Sequence, residues 1–114
     1  MRWHSAPSTI HGKGAFASEP IRSGEFVDYL VTGIVGLNAG GLLGVKRTSL
    51  GEHLNHQSNP TGRMERVPSK PDHYYFKALS NIRPGTELTM NYNDAPSFVA
   101  RPHEVDPINY ETWG

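Results

Sequence analysis

Residues that could do chemistry concentrate in two short segments, 54–60 (LNHQSNP) and 85–92 (GTELTMNY). Asn55 and His56 offer side-chain and main-chain hydrogen-bond groups to a polar ligand that leaves water. Tyr92 closes the second segment, and a phenol at the end of a strand can orient an incoming amine. Each residue alone has a structural alternative, namely an Asx turn with a satisfied histidine, or a tyrosine packed in the core.

A pair of glycines near the amino terminus is a third candidate. Gly12 and Gly14 flank Lys13, and glycine permits a tight turn and a close approach of the backbone to a ligand. The alternative is an ordinary hairpin turn.

Metal binding is not expected. Cysteine is absent, which removes disulfides, thiolate nucleophiles and cysteine zinc sites. His53 and His56 lie three residues apart beside Glu52, but zinc takes three or four protein ligands. We therefore predict no metal site.

The elements that must position these residues are short strands. Twelve glycines and nine prolines are spread along the chain, and extended pieces alternate with turn signals about every ten residues. The pattern predicts a mainly-β chain with little helix. Strands are predicted at 9–17 and 25–31, a hairpin at 73–92, a loop at 60–72, and a short helical turn within 42–52 of the weakly specified stretch 33–51.

Composition limits the possible functions. A chain of 114 residues forms one domain with a modest core. The 11 basic and 11 acidic residues cancel, so no basic face for direct nucleic-acid binding is expected. No apolar run approaches the ~18 residues of a membrane span, and the start has no apolar signal core. We expect a soluble, intracellular protein.

Three segments resemble the SET-domain protein-lysine methyltransferase family. Residues 54–60 resemble its Asn-His-Ser-x-x-Pro segment, and 85–92 its Glu-Leu-Thr-x-Asp-Tyr segment. Residues 11–27 are similar to its Gly-x-Gly turn and the following Ile-x-x-Gly-Glu hairpin. The resemblance covers about 5–102 and implies a β-clip of small curved sheets with a carboxy-terminal pseudoknot, in a single SET domain 1–114 with a short tail at 103–114.

The carboxy-terminal part suggests a subtype. Residues 93–102 resemble small stand-alone SET proteins of viral type, and the zinc post-SET module cannot form without cysteine. This subtype implies a location in the cytoplasm, or in a host nucleus if the protein is virus-encoded.

The resemblance implies S-adenosylmethionine as methyl donor, with S-adenosylhomocysteine as product. Asn55 and His56 would then contact its adenine. Gln57 replaces the usual serine, Thr61 the usual asparagine and Asn91 the commoner aspartate, and the first two changes put cofactor affinity in doubt. The other implied cofactor residues are Lys13, Gly14, Ala15 and Phe16 at the methionine part, Tyr92, and a closing aromatic from Phe98, Tyr110 or Trp113.

The implied reaction is methyl transfer to a lysine amine, with Tyr92 as catalytic residue. The nucleophile must be the neutral amine, although free lysine has a pKa of ~10.4. An apolar channel and the sulfonium charge both lower that pKa, and alignment recovers ~7–11 kcal/mol of barrier. The candidate channel walls are Tyr75, Tyr29, Phe76 and Tyr74, with Tyr75 preferred and core packing as the alternative for each.

The partner implied by the resemblance is a protein that carries the target lysine. It could be a histone tail added as a strand to an open sheet edge, or a non-histone protein, and a homodimer is plausible. One alternative function is a SET-like binding module that has lost catalysis, suggested by the short 33–51 insert and the changes at Gln57 and Thr61. A small β-rich structural protein is the other.

Overall fold

The computed structural model describes residues 1–37 and 43–95. This part of the chain is mainly β, with one short α-helix and one 3₁₀ turn, as predicted. None of its helices is long and apolar enough to cross a bilayer. The elements are β1 (Trp3–Pro7), β2 (Lys13–Ala17), β3 (Phe26–Leu37), β4 (Leu43–Arg47), α1 (Ser49–His53), β5 (Asn55–His56), β6 (Gly62–Val67), β7 (Lys70–Ala78), β8 (Glu87–Met90) and the 3₁₀ turn Tyr92–Asp94.

Two four-stranded sheets divide the candidate residues between them. The first has the order β1-β2-β8-β5 and carries the Gly-x-Gly segment, Asn55, His56 and the strand that leads to Tyr92. The second has the order β4-β3-β7-β6 and carries the candidate channel aromatics. Strands β5 and β8 run parallel, which brings the two sequence motifs side by side.

The predicted hairpin at 73–92 is wrong. Strand β7 pairs with β3 and β6 in the second sheet, whereas β8 pairs with β2 and β5 in the first. The turn itself forms, because Thr86 N donates to Arg83 O at 3.1 Å. Proline and glycine therefore predict that the chain reverses its direction at this turn. They do not predict whether the strands before and after the turn pair with each other.

The predicted loop at 60–72 is also wrong, because it contains β6 and its turn into β7. The segment is polar since β6 is the last strand of its sheet and presents Arg63, Glu65 and Arg66. Met64 packs against the core from the face opposite Arg63 and Glu65. Strand β1 was not predicted, and β2 begins at Lys13 instead of residue 9. The weakly specified stretch holds the end of β3, β4 and a helical turn, α1, that extends one residue past the predicted window.

The core fills the space between the sheets with fully buried apolar side chains. Burying each large side chain contributes roughly 1.5–3 kcal/mol. Gly62 lets Phe76 into this core, since a Cβ at Gly62 would lie 2.1 Å from the ring atom Cζ of Phe76. The pseudoknot stays a prediction, because most of the carboxy-terminal segment lies outside the described residues. The largest fully buried side chains are Phe76, Ile21, Leu30, Leu50, Leu88 and Thr89.

Candidate functional site

Tyr92 joins the two motifs. It follows β8 in the 3₁₀ turn, and its hydroxyl donates to the carbonyl of Leu54 at 2.5 Å. Its backbone N–H donates to Nδ1 of His56 at 3.0 Å, and the two ring centroids lie 5.2 Å apart. Residues separated by more than thirty positions thus form one site.

Burial sets the protonation of both side chains. It raises the pKa of the Tyr92 phenol to about 12, a shift that the Glu87 carboxylate reinforces and the Arg47 guanidinium opposes. The phenol therefore stays neutral and remains a hydrogen-bond donor at physiological pH. Burial also lowers the pKa of His56. A neutral His56 ring with its proton on Nε2 fits the bond that Nδ1 accepts from Tyr92.

Glu87 connects three segments around the first motif. Its carboxylate accepts from the hydroxyl of Ser8 at 2.8 Å and from Nδ2 of Asn55 at 2.9 Å. The same Asn55 amide donates to the carbonyl of His11 at 3.0 Å. In the described ranges Glu87 forms no ion pair, so its charge is met by neutral donors alone. Glu87 was not among the predicted site residues, although it lies inside the second motif.

The Gly-x-Gly segment has two distinct glycine requirements. Gly12 has a φ of 49°, in the left-handed region, and its carbonyl accepts from Ser8 N at 2.8 Å. Gly14 lies directly against Glu87, because a Cβ there would be 2.3 Å from Oε2 of that carboxylate. The first glycine shapes the turn and the second admits the carboxylate.

The other residues predicted on this strand have different surroundings. Lys13 is exposed, whereas Ala15 is fully buried in the core. Phe16 is half-buried and stacks on His4 with ring centroids 6.2 Å apart. Phe98, Tyr110 and Trp113 lie outside the described residues.

Two of the three departures from the family motif, Gln57 and Thr61, bond to one buried residue of β8, Thr89. Thr61 Oγ1 accepts from Thr89 N at 2.9 Å, and Thr61 N donates to Thr89 Oγ1 at 3.2 Å. The Thr89 hydroxyl in turn donates to Oε1 of Gln57 at 2.9 Å. Gln57 and Thr61 therefore hold the segment after the first motif against β8.

The candidate channel aromatics separate onto two faces. Tyr29 and Tyr75 both contact Phe26, at centroid distances of 5.2 and 5.5 Å, and His73 lies 6.0 Å from Tyr29. These four rings form an aromatic cluster that is partly open to solvent, and Phe26 is 44% exposed. Phe76 lies on the opposite face of β7, completely buried. Phe76 therefore belongs to the core and not to this cluster, and Tyr74 packs against the core as well.

Helix α1 ties Tyr29 to Tyr92. Thr48 caps the helix, since its Oγ1 accepts from Gly51 N at 3.1 Å. The same hydroxyl donates to the carbonyl of Tyr29 at 2.5 Å. The C-cap residue that follows the helix is Leu54, whose carbonyl accepts from the Tyr92 hydroxyl. One short helix thus positions the aromatic cluster relative to the catalytic candidate.

A metal site does not form in the part of the chain that the structure describes. No three side chains of the ligand types His, Cys, Asp and Glu come together there. The nitrogen Nδ1 of His53 lies 2.7 Å from the carbonyl of Ser49, within its own helix.

Comparisons with known proteins agree with this architecture. Residues 43–93 match the family model of the SET domain. No curated protein matches the chain. A Plasmodium falciparum protein named as a candidate histone methyltransferase superposes with a TM-score of 0.64 at 18% identity, over 82% of this chain and 95% of that one.

Two inhibitor-bound structures of a humanized mutant of the Chaetomium thermophilum Polycomb Repressive Complex 2 are also similar. Their TM-scores are 0.62 and 0.63, at 22% and 21% identity, over 81% and 84% of this chain. This chain spans only 15% and 16% of those chains. The fold is thus the mainly-β fold of SET domains, and the match over 43–93 supports a place in the SET family.

Proposed function

We propose that this protein is a methyltransferase that transfers a methyl group from S-adenosylmethionine to the side-chain amine of a protein lysine. One observation carries the proposal: a partly buried, neutral phenol, Tyr92, is held between the Leu54 carbonyl and His56, where the two family motifs meet. The SET-domain fold and the family match over residues 43–93 support it.

The residues around Glu87 fit a cationic cofactor. Asn55 and His56 would face its adenine, and the turn from Gly12 to Gly14 its methionine part. That part carries an ammonium and a sulfonium, and Glu87 beside Gly14 offers a carboxylate whose hydrogen bonds from the described residues come from the neutral donors Ser8 and Asn55. A carboxylate in this setting favours a positive partner. When bound, the cofactor supplies an electrophilic methyl group on sulfur.

Tyr92 would orient the substrate amine. Its hydroxyl proton is directed to the Leu54 carbonyl, and a phenol oxygen also has acceptor capacity for an amine N–H. Accepting that bond directs the nitrogen lone pair away from the phenol and toward the methyl group. Because the pKa of Tyr92 is raised to about 12, the phenol acts by orientation and does not remove the proton of the ammonium.

The aromatic cluster is our candidate for the entrance of the lysine channel. Tyr29 and Tyr75 lie side by side around Phe26, and aromatic walls would favour the neutral amine by desolvation. Tyr29 is the better placed of the two, because its carbonyl is bonded to the cap of the helix that ends at Leu54. The substrate would be a histone or another protein with an accessible lysine.

A melting experiment with S-adenosylhomocysteine tests the proposal. A ligand at a hundred times its dissociation constant stabilises the native state by ~2.7 kcal/mol, which corresponds to a shift on the order of 10 °C for a domain of this size. A folded sample with no shift would contradict the cofactor assignment.

Methyl transfer is then measured with labelled S-adenosylmethionine on lysine peptides and on matched peptides with arginine in place of lysine. We expect label only on the lysine peptides. Tyr92→Phe should keep the melting shift while losing most of the transfer. Full activity of this variant would remove Tyr92 from the mechanism.

A further inference from the structure

Strand β6 has one open edge within the described residues 1–37 and 43–95. It pairs with β7 on one side, and it is the last strand of its sheet. Leu79 N donates to Thr61 O, so alternation along the antiparallel ladder directs the backbone groups of Arg63 and Glu65 toward β7. The N–H and C=O groups of the even-numbered residues therefore point outward. These residues are Gly62, Met64 and Arg66.

The charges on this edge alternate in sign. Arg63 and Glu65 lie on the same face of β6 and form an ion pair with Nε and Oε1 3.0 Å apart. Charged side chains and proline on an edge strand commonly hinder its pairing with another strand, and like charges that lie directly opposite each other destabilise a pair. Strand β6 has no proline, and because its charges are of both signs, two antiparallel copies can place opposite charges across from each other.

Two copies of β6 can pair antiparallel around Met64. This pairing gives the outward-pointing backbone groups hydrogen-bond partners and places opposite charges across from each other. Outward-pointing residues meet as hydrogen-bonded pairs, with Met64 opposite Met64 of the partner subunit. The non-hydrogen-bonded pairs, whose side chains approach more closely, are Arg63 with Glu65 of the partner subunit and the symmetric contact. Each copy thus uses the same surface, as two-fold symmetry requires.

A cleft beside this edge provides a second complementary contact. It has a volume of about 320 Å³ and lies between β6 and the segment that carries Tyr92. In the pairing described above, Arg66 of the partner subunit stands opposite Gly62, and Gly62 and Asp94 both line the cleft. The other lining residues are Pro60, Arg63, Met64, Leu79, Met90 and Asn91.

We propose that a second copy of this chain docks antiparallel along β6, so that two four-stranded sheets join into one sheet of eight strands across a two-fold axis at Met64. The partner subunit then closes the cleft next to the segment that holds Tyr92. This proposal is independent of the methyl-transfer reaction.

Sedimentation equilibrium with charge-reversal variants tests the pairing. We expect the wild-type protein to have twice the 12.6 kDa mass of one chain. Arg63→Glu and Glu65→Arg should each weaken the dimer about tenfold or more, because each places like charges opposite each other twice. The double variant R63E/E65R restores opposite charges and should recover the dimer to within about threefold of wild type.

Controls separate pairing from folding and from net charge. Arg83→Glu makes the same charge change as Arg63→Glu on an exposed turn, and it should leave the dimer unchanged. Circular dichroism confirms that each variant is folded. A monomeric wild-type protein would overturn the proposal. So would single variants that stay dimeric, or a double variant that does not recover.

Discussion

The burial of Tyr92 predicts a loss of stability in alkaline solution that Tyr92→Phe removes. The phenol has a pKa of about 12 in the folded protein, against ~10 in an unfolded chain. Between these values the unfolded chain releases the proton while the folded protein keeps it. The stabilising contribution of this group is therefore complete below pH ~10 and is lost as the pH rises through the folded pKa.

The expected magnitude follows from the size of the pKa shift. One pKa unit is worth ~1.4 kcal/mol, so the free energy of unfolding would fall by ~1.4 kcal/mol at pH 11 and by ~2.7 kcal/mol well above pH 12. Tyr92 is not fully buried, and partial solvent screening reduces these figures. We therefore expect a change of about 1 kcal/mol at pH 11.

Urea unfolding of the wild type and of Tyr92→Phe at pH 8 and pH 11 measures the contribution of the Tyr92 phenol to the free energy of unfolding. The other tyrosines and the lysines titrate in both proteins and cancel in the difference. At pH 8 the variant should be less stable by about 1–3 kcal/mol, because the Leu54 carbonyl loses its donor. At pH 11 the gap should narrow by about 1 kcal/mol. A gap that does not change with pH would refute the burial of the phenol, and with it the neutral donor role.

Three further substitutions test the surroundings of Tyr92. Glu87→Gln should lower the affinity for S-adenosylhomocysteine about tenfold in calorimetric titration. The affinity for 5′-methylthioadenosine, which has neither ammonium nor sulfonium, should not change. Equal losses of affinity for both ligands would contradict a role of Glu87 in charge recognition. Gly14→Ala should abolish ligand binding, because its Cβ would displace the Glu87 carboxylate. The Cβ of Gly12→Ala meets open space, so this variant should lose only ~1–2 kcal/mol of folding stability for its left-handed φ. Equal ligand binding by both alanine variants would exclude the steric explanation. Thr89→Val removes a fully buried hydroxyl and leaves its two half-buried partners, Thr61 N and Gln57 Oε1, without that hydrogen bond, which should cost about 2–4 kcal/mol in urea unfolding. The exposed Thr86→Val should change the stability little, and similar losses for the two variants would exclude a stabilising role of the Thr89 network.

The two motifs that the sequence singled out lie together in the structure, whereas the order of the strands was not predicted. Asn55, His56 and Tyr92 were named from two motifs, and the parallel pairing of β5 with β8 brings those motifs together. The hairpin at 73–92 failed because turn residues determine a reversal of direction, whereas the choice of partner strand depends on contacts far away in the chain. Leu88 packs on the first sheet and Phe76 in the second, and no local pattern distinguishes them.

Strand β6 and the role of Glu87 were not predicted, and for the same reason. The polarity of a side chain can be interpreted only when the position of its strand in the sheet is known. Strand β6 appeared as a loop because an edge strand can carry Arg63, Glu65 and Arg66. Glu87 was not predicted as a site residue, although its carboxylate accepts hydrogen bonds from Ser8 and Asn55. A search for acceptors near Gly14 would have needed the register of β2 against β8, which pairs Phe16 with Glu87.

The departures from the family motif also gain a physical meaning. Gln57 and Thr61 suggested a weakened cofactor site, and with it a binding module without catalysis. Both side chains instead bond to Thr89, a fully buried residue of the strand that leads to Tyr92. Their polar groups are thus used within the protein to fix β8, and the position of Tyr92 depends on β8. The two changes therefore give no reason to prefer the binding module, and the melting shift with S-adenosylhomocysteine becomes the measurement that decides between the two functions.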